Sequence, residues 1–319
     1  MTEIPTATGT VATDALGRTL MHEHVFVLTT EVQQNYPGEW DEESQVAGAI
    51  EKLSALKAAG IDTIVDPTVV GLGRYIPRIA RIAAQVELNI VVATGVYTYD
   101  DVPNYFRMRG AVMGFELPEP MVELFVRDLT VGIADTGVRA AFLKCAIDVP
   151  GMTTGVERVL RAVAKAHLAT NAPVMVHTAP RRRAGLAVHD VLVSEGVDPQ
   201  AVLLAHCGDS SDADHLSALA DLGYLLGMDR FGVDIIAPFE ERVDIVAELT
   251  RRGYAERMVL AHDASCYFDW ADQSLLPLMT NWHYLHITND VLPALRERGV
   301  TDEQIDTMLV ANPRAWFER

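Results

Sequence analysis

Apolar residues follow one another along this chain in two alternating rhythms. Short runs rich in Val, Ile, Leu and Ala occupy 20–27, 61–67, 90–96, 138–146, 173–177, 202–206, 223–228 and 258–262. Unbroken apolarity of that length suits a strand buried on both faces, as in a parallel sheet. Between the runs lie longer segments whose apolar residues recur three and four apart. This spacing predicts helices over 44–59, 74–84, 118–134, 153–169, 185–194, 212–222, 238–252 and 282–298. The first carries Val46, Ile50, Leu53 and Leu56 and stops at Gly60; a last helical piece spans 302–309 and ends near Pro313. Eight strand–helix units without a break in composition predict an α/β chain forming a (β/α)8 TIM barrel, a single domain over 1–319. The alternative, an open doubly wound sheet, usually carries a Gly-rich phosphate turn after its first strand. The stretch here, HVFVLTTEVQQNY, has no glycine. Two connections, 97–119 and 264–281, are long and rich in aromatic residues, and both leave the ends of strands where barrel active sites sit.

The polar residues that interrupt this pattern fall at the same ends. His22 and His24 are two apart in the first run, so in a strand both imidazoles face one side, with Glu23 facing the other. Lys144, His177, His206 and Asp263 close four of the later runs. Unpaired charge buried in apolar strands is costly, and a shared metal site removes that cost. An ammonium cannot ligate a metal. A buried lysine beside cations has a depressed pKa, and its neutral amine can take up carbon dioxide as a carbamate. On that reading Lys144 is an N6-carboxylysine bridging two divalent ions. His22, His24 and Asp263 hold one ion, and His177 and His206 hold the other. The donors suit zinc first, then cobalt, iron or manganese. Two such ions lower the pKa of a shared water and polarise a substrate oxygen, while Asp263 accepts the proton. The helical HExxH pattern of zinc proteases, the GxSxG elbow and the phosphate-binding P-loop are all absent from the sequence. His262, next to Asp263, faces away from the site. His167, His189, His215, His283 and His286 fall in predicted helices and are not expected to be ligands.

Composition narrows the partners. The chain has 319 residues, 49% of them hydrophobic, and a formal net charge of -18. That charge repels nucleic acid and anionic membrane, so neither is expected as a partner. The N-terminal stretch has no basic or apolar signal region, and no apolar run reaches membrane-spanning length. Cys145, Cys207 and Cys266 are an odd number without CxxC spacing, which predicts free thiols and a cytoplasmic protein.

The order HxH, Lys, His, His, Asp on successive strand ends resembles the amidohydrolase superfamily. The strings LMHEHVF, TIVDPTVVGLGR, GVYTYDDVP, FLKCAID, LLAHCGDS, GMDRFGVD and LAHDASCYFDW resemble its phosphotriesterase family, and most closely the phosphotriesterase-like lactonases, from about Gly17 to Phe317. The resemblance implies a binuclear centre with a carboxylated lysine at Lys144. It also implies hydrolysis of small-molecule lactones, including the N-acyl-homoserine lactones of quorum quenching, with weak promiscuous phosphotriesterase activity, and a homodimer. It further implies catalytic roles for Tyr97 and Arg230 beside Asp263. Tyr97, Tyr99, Arg230, Cys266, Trp270 and Trp282 are expected to contact substrate. Arg230 could instead form a structural ion pair with Asp229. Gly71 and Gly73 read as a tight turn. The run Arg181, Arg182, Arg183 after His177 departs from the lactonases and is expected on the solvated surface, unless it alters the charge of the pocket. A primary phosphotriesterase, an amide hydrolase and a metal-binding barrel without turnover are the competing readings.

Overall fold

The computed structural model describes residues 2–36, 38, 40–111 and 117–319. The eight apolar runs form eight strands: β1 Thr19–Leu20, β2 Thr63–Asp66, β3 Asn89–Gly95, β4 Phe142–Ala146, β5 Val174–His177, β6 Val202–Ala205, β7 Leu225–Met228 and β8 Met258–Leu260. They pair in sequence order, all parallel. The seam between β8 and β1 is closed by backbone bonds. Met21 N donates to Leu260 O (3.4 Å), Asp263 N to His22 O (3.0 Å) and His24 N to Ala264 O (2.8 Å). Above the seam, His24–Val27 pairs in parallel with Ser265–Phe268. The sheet is therefore a closed (β/α)8 barrel ringed by helices, and the open-sheet alternative is excluded.

Strand alternation divides the core in two. Met175 and Phe142 point to the barrel axis with Val65, Val91, Leu203 and Val259. Leu143, Cys145, Val174, Val176, Val202 and Leu204 face the helices. Lys144 shares the parity of Phe142, and His177 that of Met175, so both point inward.

Four features differ from the sequence pattern. The first predicted strand is split by a bend at Met21–His22 into β1 and His24–Val27. An antiparallel hairpin, Glu3–Thr6 with Gly9–Ala12, precedes β1 and meets β3 where Ala7 N donates to Ile90 O (2.8 Å). The last helix does not stop at Pro313. A widened turn over Thr307–Ala311 precedes it, and the helix continues through Asn312–Phe317. The backbone stays helical through Ala311 and Asn312, and the widened turn just before Pro313 lets the helix take in a residue that cannot donate an N–H. The helix predicted over 282–298 begins as a similar widened turn at Ile287–Val291, followed by Leu292–Glu297. Gly71 and Gly73 are both left-handed, and a Cβ on either would meet a carbonyl oxygen, of Tyr97 at 2.4 Å and of Leu28 at 2.3 Å. They form the expected tight turn. Part of the 97–119 connection, 112–116, lies outside the described residues. Among the described residues no helix is long and apolar enough to cross a membrane.

Candidate active site

The ends of the strands bring the six singled-out side chains to one point inside the barrel mouth. His22 Nε2 and His24 Nε2 lie 3.3 and 3.2 Å from the same oxygen, Oδ1 of Asp263. These separations are close to those of ligands on a tetrahedral ion with bonds of about 2.0–2.1 Å. His177 Nδ1 and His206 Nε2 face each other at 2.7 Å. Lys144 stands among them, 1% exposed, and its Nζ has no hydrogen-bond partner among the described residues. An orphaned buried amine flanked by four imidazoles and a carboxylate is a poor place for an ammonium and a good one for an oxygen-bearing carbamate. The residues present therefore fit a pair of divalent ions.

Getting there requires backbone departures. Val202 and Leu204 face the helices, so alternation alone would send His206 outward; a left-handed backbone (φ 69°) turns it to the axis. Arg230 (φ 63°) and Asp263 (φ 54°) are left-handed as well. Left-handed residues bearing a Cβ are disfavoured and concentrate where function needs them.

Each imidazole is oriented through its other nitrogen. Asp229, just beyond β7 and 1% exposed, takes His22 Nδ1 at 2.9 Å on one oxygen and His206 Nδ1 at 2.8 Å on the other. His24 Nδ1 meets Thr68 Oγ1 at 2.7 Å, and that hydroxyl donates to Asp66. His177 Nε2 meets Asp148 at 2.8 Å. Such partners fix tautomer and ring direction. His22, His206 and Asp229 also form a cluster close enough to share an ion, but with Asp229 spent on both Nδ1 atoms the free nitrogens turn to the pocket. Sequence reasoning paired Asp229 with Arg230 and missed its orienting role, along with those of Asp148 and Thr68.

Burial sets the protonation. It lowers His22, takes His177 down to about 4, and holds His206 well below its ordinary value, so these rings are neutral donors. It brings the Lys144 amine down to about 8. For Asp263 burial works upward, but His22, His24 and His206 outweigh it and hold the carboxyl well below the usual range. Asp229 is likewise lowered, the bond to His22 overcoming burial. Arg230 does not pair with Asp229. Its Nε reaches Asp263 (3.1 Å) and its Nη1 reaches Asp209 (2.9 Å), which in turn holds the fully buried Arg242 (2.7 Å).

A cavity of about 300 Å³ opens above these groups. Tyr97, Tyr99, Arg230, Trp270 and Trp282 line it as expected, with Val233, Ile235, Phe268, Leu276 and Met279 making most of its wall apolar. The Tyr97 hydroxyl lies 2.9 Å from that of Tyr99 and 3.2 Å from His177 Nδ1, and burial raises its pKa well above 10.0. Cys266 is a correction. Its thiol is buried 3.3 Å from the Tyr284 hydroxyl, its pKa pushed up to about 12, and its neighbour Ser265 lines the cavity instead. Successive residues of a strand face opposite ways, and Ser265 holds the inward register. Arg181 bonds the carbonyls of Asp209 and Ile236, Arg183 pairs with Asp212, and none of the three arginines lines the cavity. His262 faces away, as expected, onto Glu23. His167, His189 and His286 bond Ala172 O, Tyr224 and Asp290, away from the centre.

Comparison with known proteins places the chain in a family. A sequence profile of the phosphotriesterase family matches residues 2–317. A phosphotriesterase homology protein of Mycobacterium tuberculosis is 60% identical over 321 residues, covering 100% of this chain and 98% of its own. An aryldialkylphosphatase of Saccharolobus solfataricus is 35% identical over 305 residues, 95% of each chain. The solved structure of the phosphotriesterase from Mycobacterium tuberculosis matches with a TM-score of 0.98 at 60% identity, over 100% of this chain and 99% of that one.

Proposed function

Because the chain belongs to the phosphotriesterase family, we propose that it is a binuclear metal-dependent hydrolase that opens lactone rings, N-acyl-homoserine lactones among them. Phosphotriester hydrolysis is a weaker side activity. The observation that carries the reading is the Lys144 amine, without a hydrogen-bond partner among the described residues, set among four imidazoles and Asp263 beneath an apolar cavity. His22, His24 and Asp263 would hold one ion and His177 and His206 the other, with carboxylated Lys144 able to serve both. Bound there, the ions supply an activated water and polarise the substrate oxygen.

The chain's own residues do the rest. Asp263, held ionised, accepts the proton of the attacking water and returns it to the alcohol oxygen freed from the ring. Tyr97, protonated at every physiological pH, donates a hydrogen bond to the carbonyl oxygen as negative charge builds on it. Arg230, fixed by Asp263 and Asp209, adds positive charge at the same end. Phe268, Trp270, Leu276 and Met279 shelter an alkyl or acyl chain and exclude water. The lactone is a neutral, largely apolar ligand, as such a wall requires. Zinc is the metal of first choice, and the protein acts as a single-domain barrel in a cytoplasmic homodimer, apart from nucleic acid and membrane.

The test is a comparison of kcat/KM for an N-acyl-homoserine lactone, a γ- or δ-lactone, an amide and paraoxon. The lactones lead on this reading. The name of the Saccharolobus relative favours the competing reading, a primary phosphotriesterase; a large lead for paraoxon would install it.

A further inference from the structure

The turn that carries Asp263 is held by side chains to which the chemistry above gives no work. Asp263 has a left-handed backbone, and the amides on either side of it point the same way, onto Glu23. One Glu23 oxygen lies 2.7 Å from His262 N and 2.7 Å from His262 Nδ1, and the other 3.1 Å from Ala264 N. Two backbone amides converging on one anion form a nest, here filled from within the protein. The tautomer of the His262 ring follows from the geometry. His262 Nε2 accepts from Ile287 N at 2.8 Å, so the ring proton is on Nδ1 and is donated to Glu23. Glu23 is 0% exposed, and its two oxygens accept from all three N–H groups, although burial raises its pKa well above the ordinary carboxylate value.

The carbonyls of the same turn are also taken. Trp282 Nε1 donates to His262 O and Asp263 O, each at 3.2 Å. Ala264 O accepts His24 N, and Asp263 N donates to His22 O. The indole N–H is thus engaged with backbone, and only the ring of Trp282 is left for the cavity it lines.

We propose that Glu23 and Trp282 are positioning residues for Asp263: they clamp its left-handed turn, Glu23 by gathering the amides and Trp282 by donating to the carbonyls, and so aim the carboxylate at His22 and His24. Glu23 can do this because it faces away from its two ligand neighbours in the His22-Glu23-His24 sequence. One side of the segment then presents the ligands and the other fixes their partner on the far side of the seam. The inference rests on the reading of Asp263 as metal ligand and proton acceptor.

The test uses Glu23→Gln, which sets an NH2 donor against a backbone amide, and Trp282→Phe, which keeps the ring and removes only the N–H. Thermal melting, zinc retention against a competing chelator, the visible spectrum of the cobalt-loaded protein, and kcat and KM on whichever ester the parent turns over best are measured for each. Glu23→Gln is expected to lose roughly tenfold or more in metal affinity and in kcat, with KM little changed and the cobalt bands shifted. Trp282→Phe is expected to move the same way by less. A role in stability alone would lower the melting temperature and leave chelator competition, spectrum and kcat unchanged, and that result overturns the proposal. Should Glu23→Gln fail to fold, Trp282→Phe decides. A parent that holds no metal and cleaves no ester defeats the functional reading first, and the clamp with it.

Discussion

Burying a lysine amine without a partner costs far more free energy while the amine is charged, and at Lys144 burial lowers the pKa from 10.5 to about 8. In the metal-free protein the unfolded chain therefore binds more protons between pH 8 and 10.5, and stability rises with pH across that window. Below it the penalty is fully present. We expect Lys144→Met, freed of metal by a chelator, to melt above the parent at pH 7, with the margin shrinking as pH approaches 10.5, and to have lost activity and tight metal retention. A parent that melts higher at pH 7 would show that the amine is not penalised. Asp229 makes a second test. Asp229→Asn can no longer accept from both His22 and His206, so metal affinity is expected to fall about 10- to 100-fold in chelator competition, with the fold intact by circular dichroism. The six ligand candidates are legible because four of them close an apolar run and the other two, His22 and His24, interrupt the first run at strand spacing. Asp229, Asp148 and Thr68 are not, since orienting a histidine needs only proximity in space and leaves no period in the sequence. Cys266 was misplaced by one residue, the distance that reverses a side chain in a strand.

At the scale of elements, strand positions are legible in the sequence and strand ends less so. His206 belongs to the outward register and reaches the site through a left-handed residue, which no pattern of apolar residues encodes. The N-terminal hairpin escapes notice because its strands are short and mostly exposed on one side, without alternation strong enough to mark them. Pro313 misleads because proline commonly ends a helix, whereas here a widened turn before it carries the helix through. The pairing of β3 with β4 leaves no room for a side chain beside Lys144. A Cβ on Gly95 would sit 1.8 Å from Lys144 O, too close for any atom. Gly95→Ala must therefore part the two strands and displace Lys144. We expect a loss of at least about 2 kcal/mol in urea unfolding, together with loss of metal retention. Parental values in both measurements for the Gly95→Ala protein would show that the strands separate freely.

Across the whole molecule, one seam joins the earliest ligands to the last. Remove β8 and the barrel loses both its closure and Asp263. A chain ending at Arg257 is expected to show no cooperative melt and no metal protected from chelator, although it keeps His22, His24, Lys144, His177 and His206. A protected ion in that fragment would place the centre's stability in the imidazoles alone. About 240 residues separate His24 from Asp263, and at the usual ribosomal pace they take roughly 12–50 s to make. Through that interval the nascent chain carries a bare two-histidine chelate, open to whatever divalent ion is abundant and strong in imidazole affinity. Such a chelate exchanges its ion freely. In the proposed centre the choice of metal is accordingly made late, when the seam shuts and the carboxylate arrives, and the fidelity of metal loading is a property of barrel closure rather than of the histidines that were synthesised first.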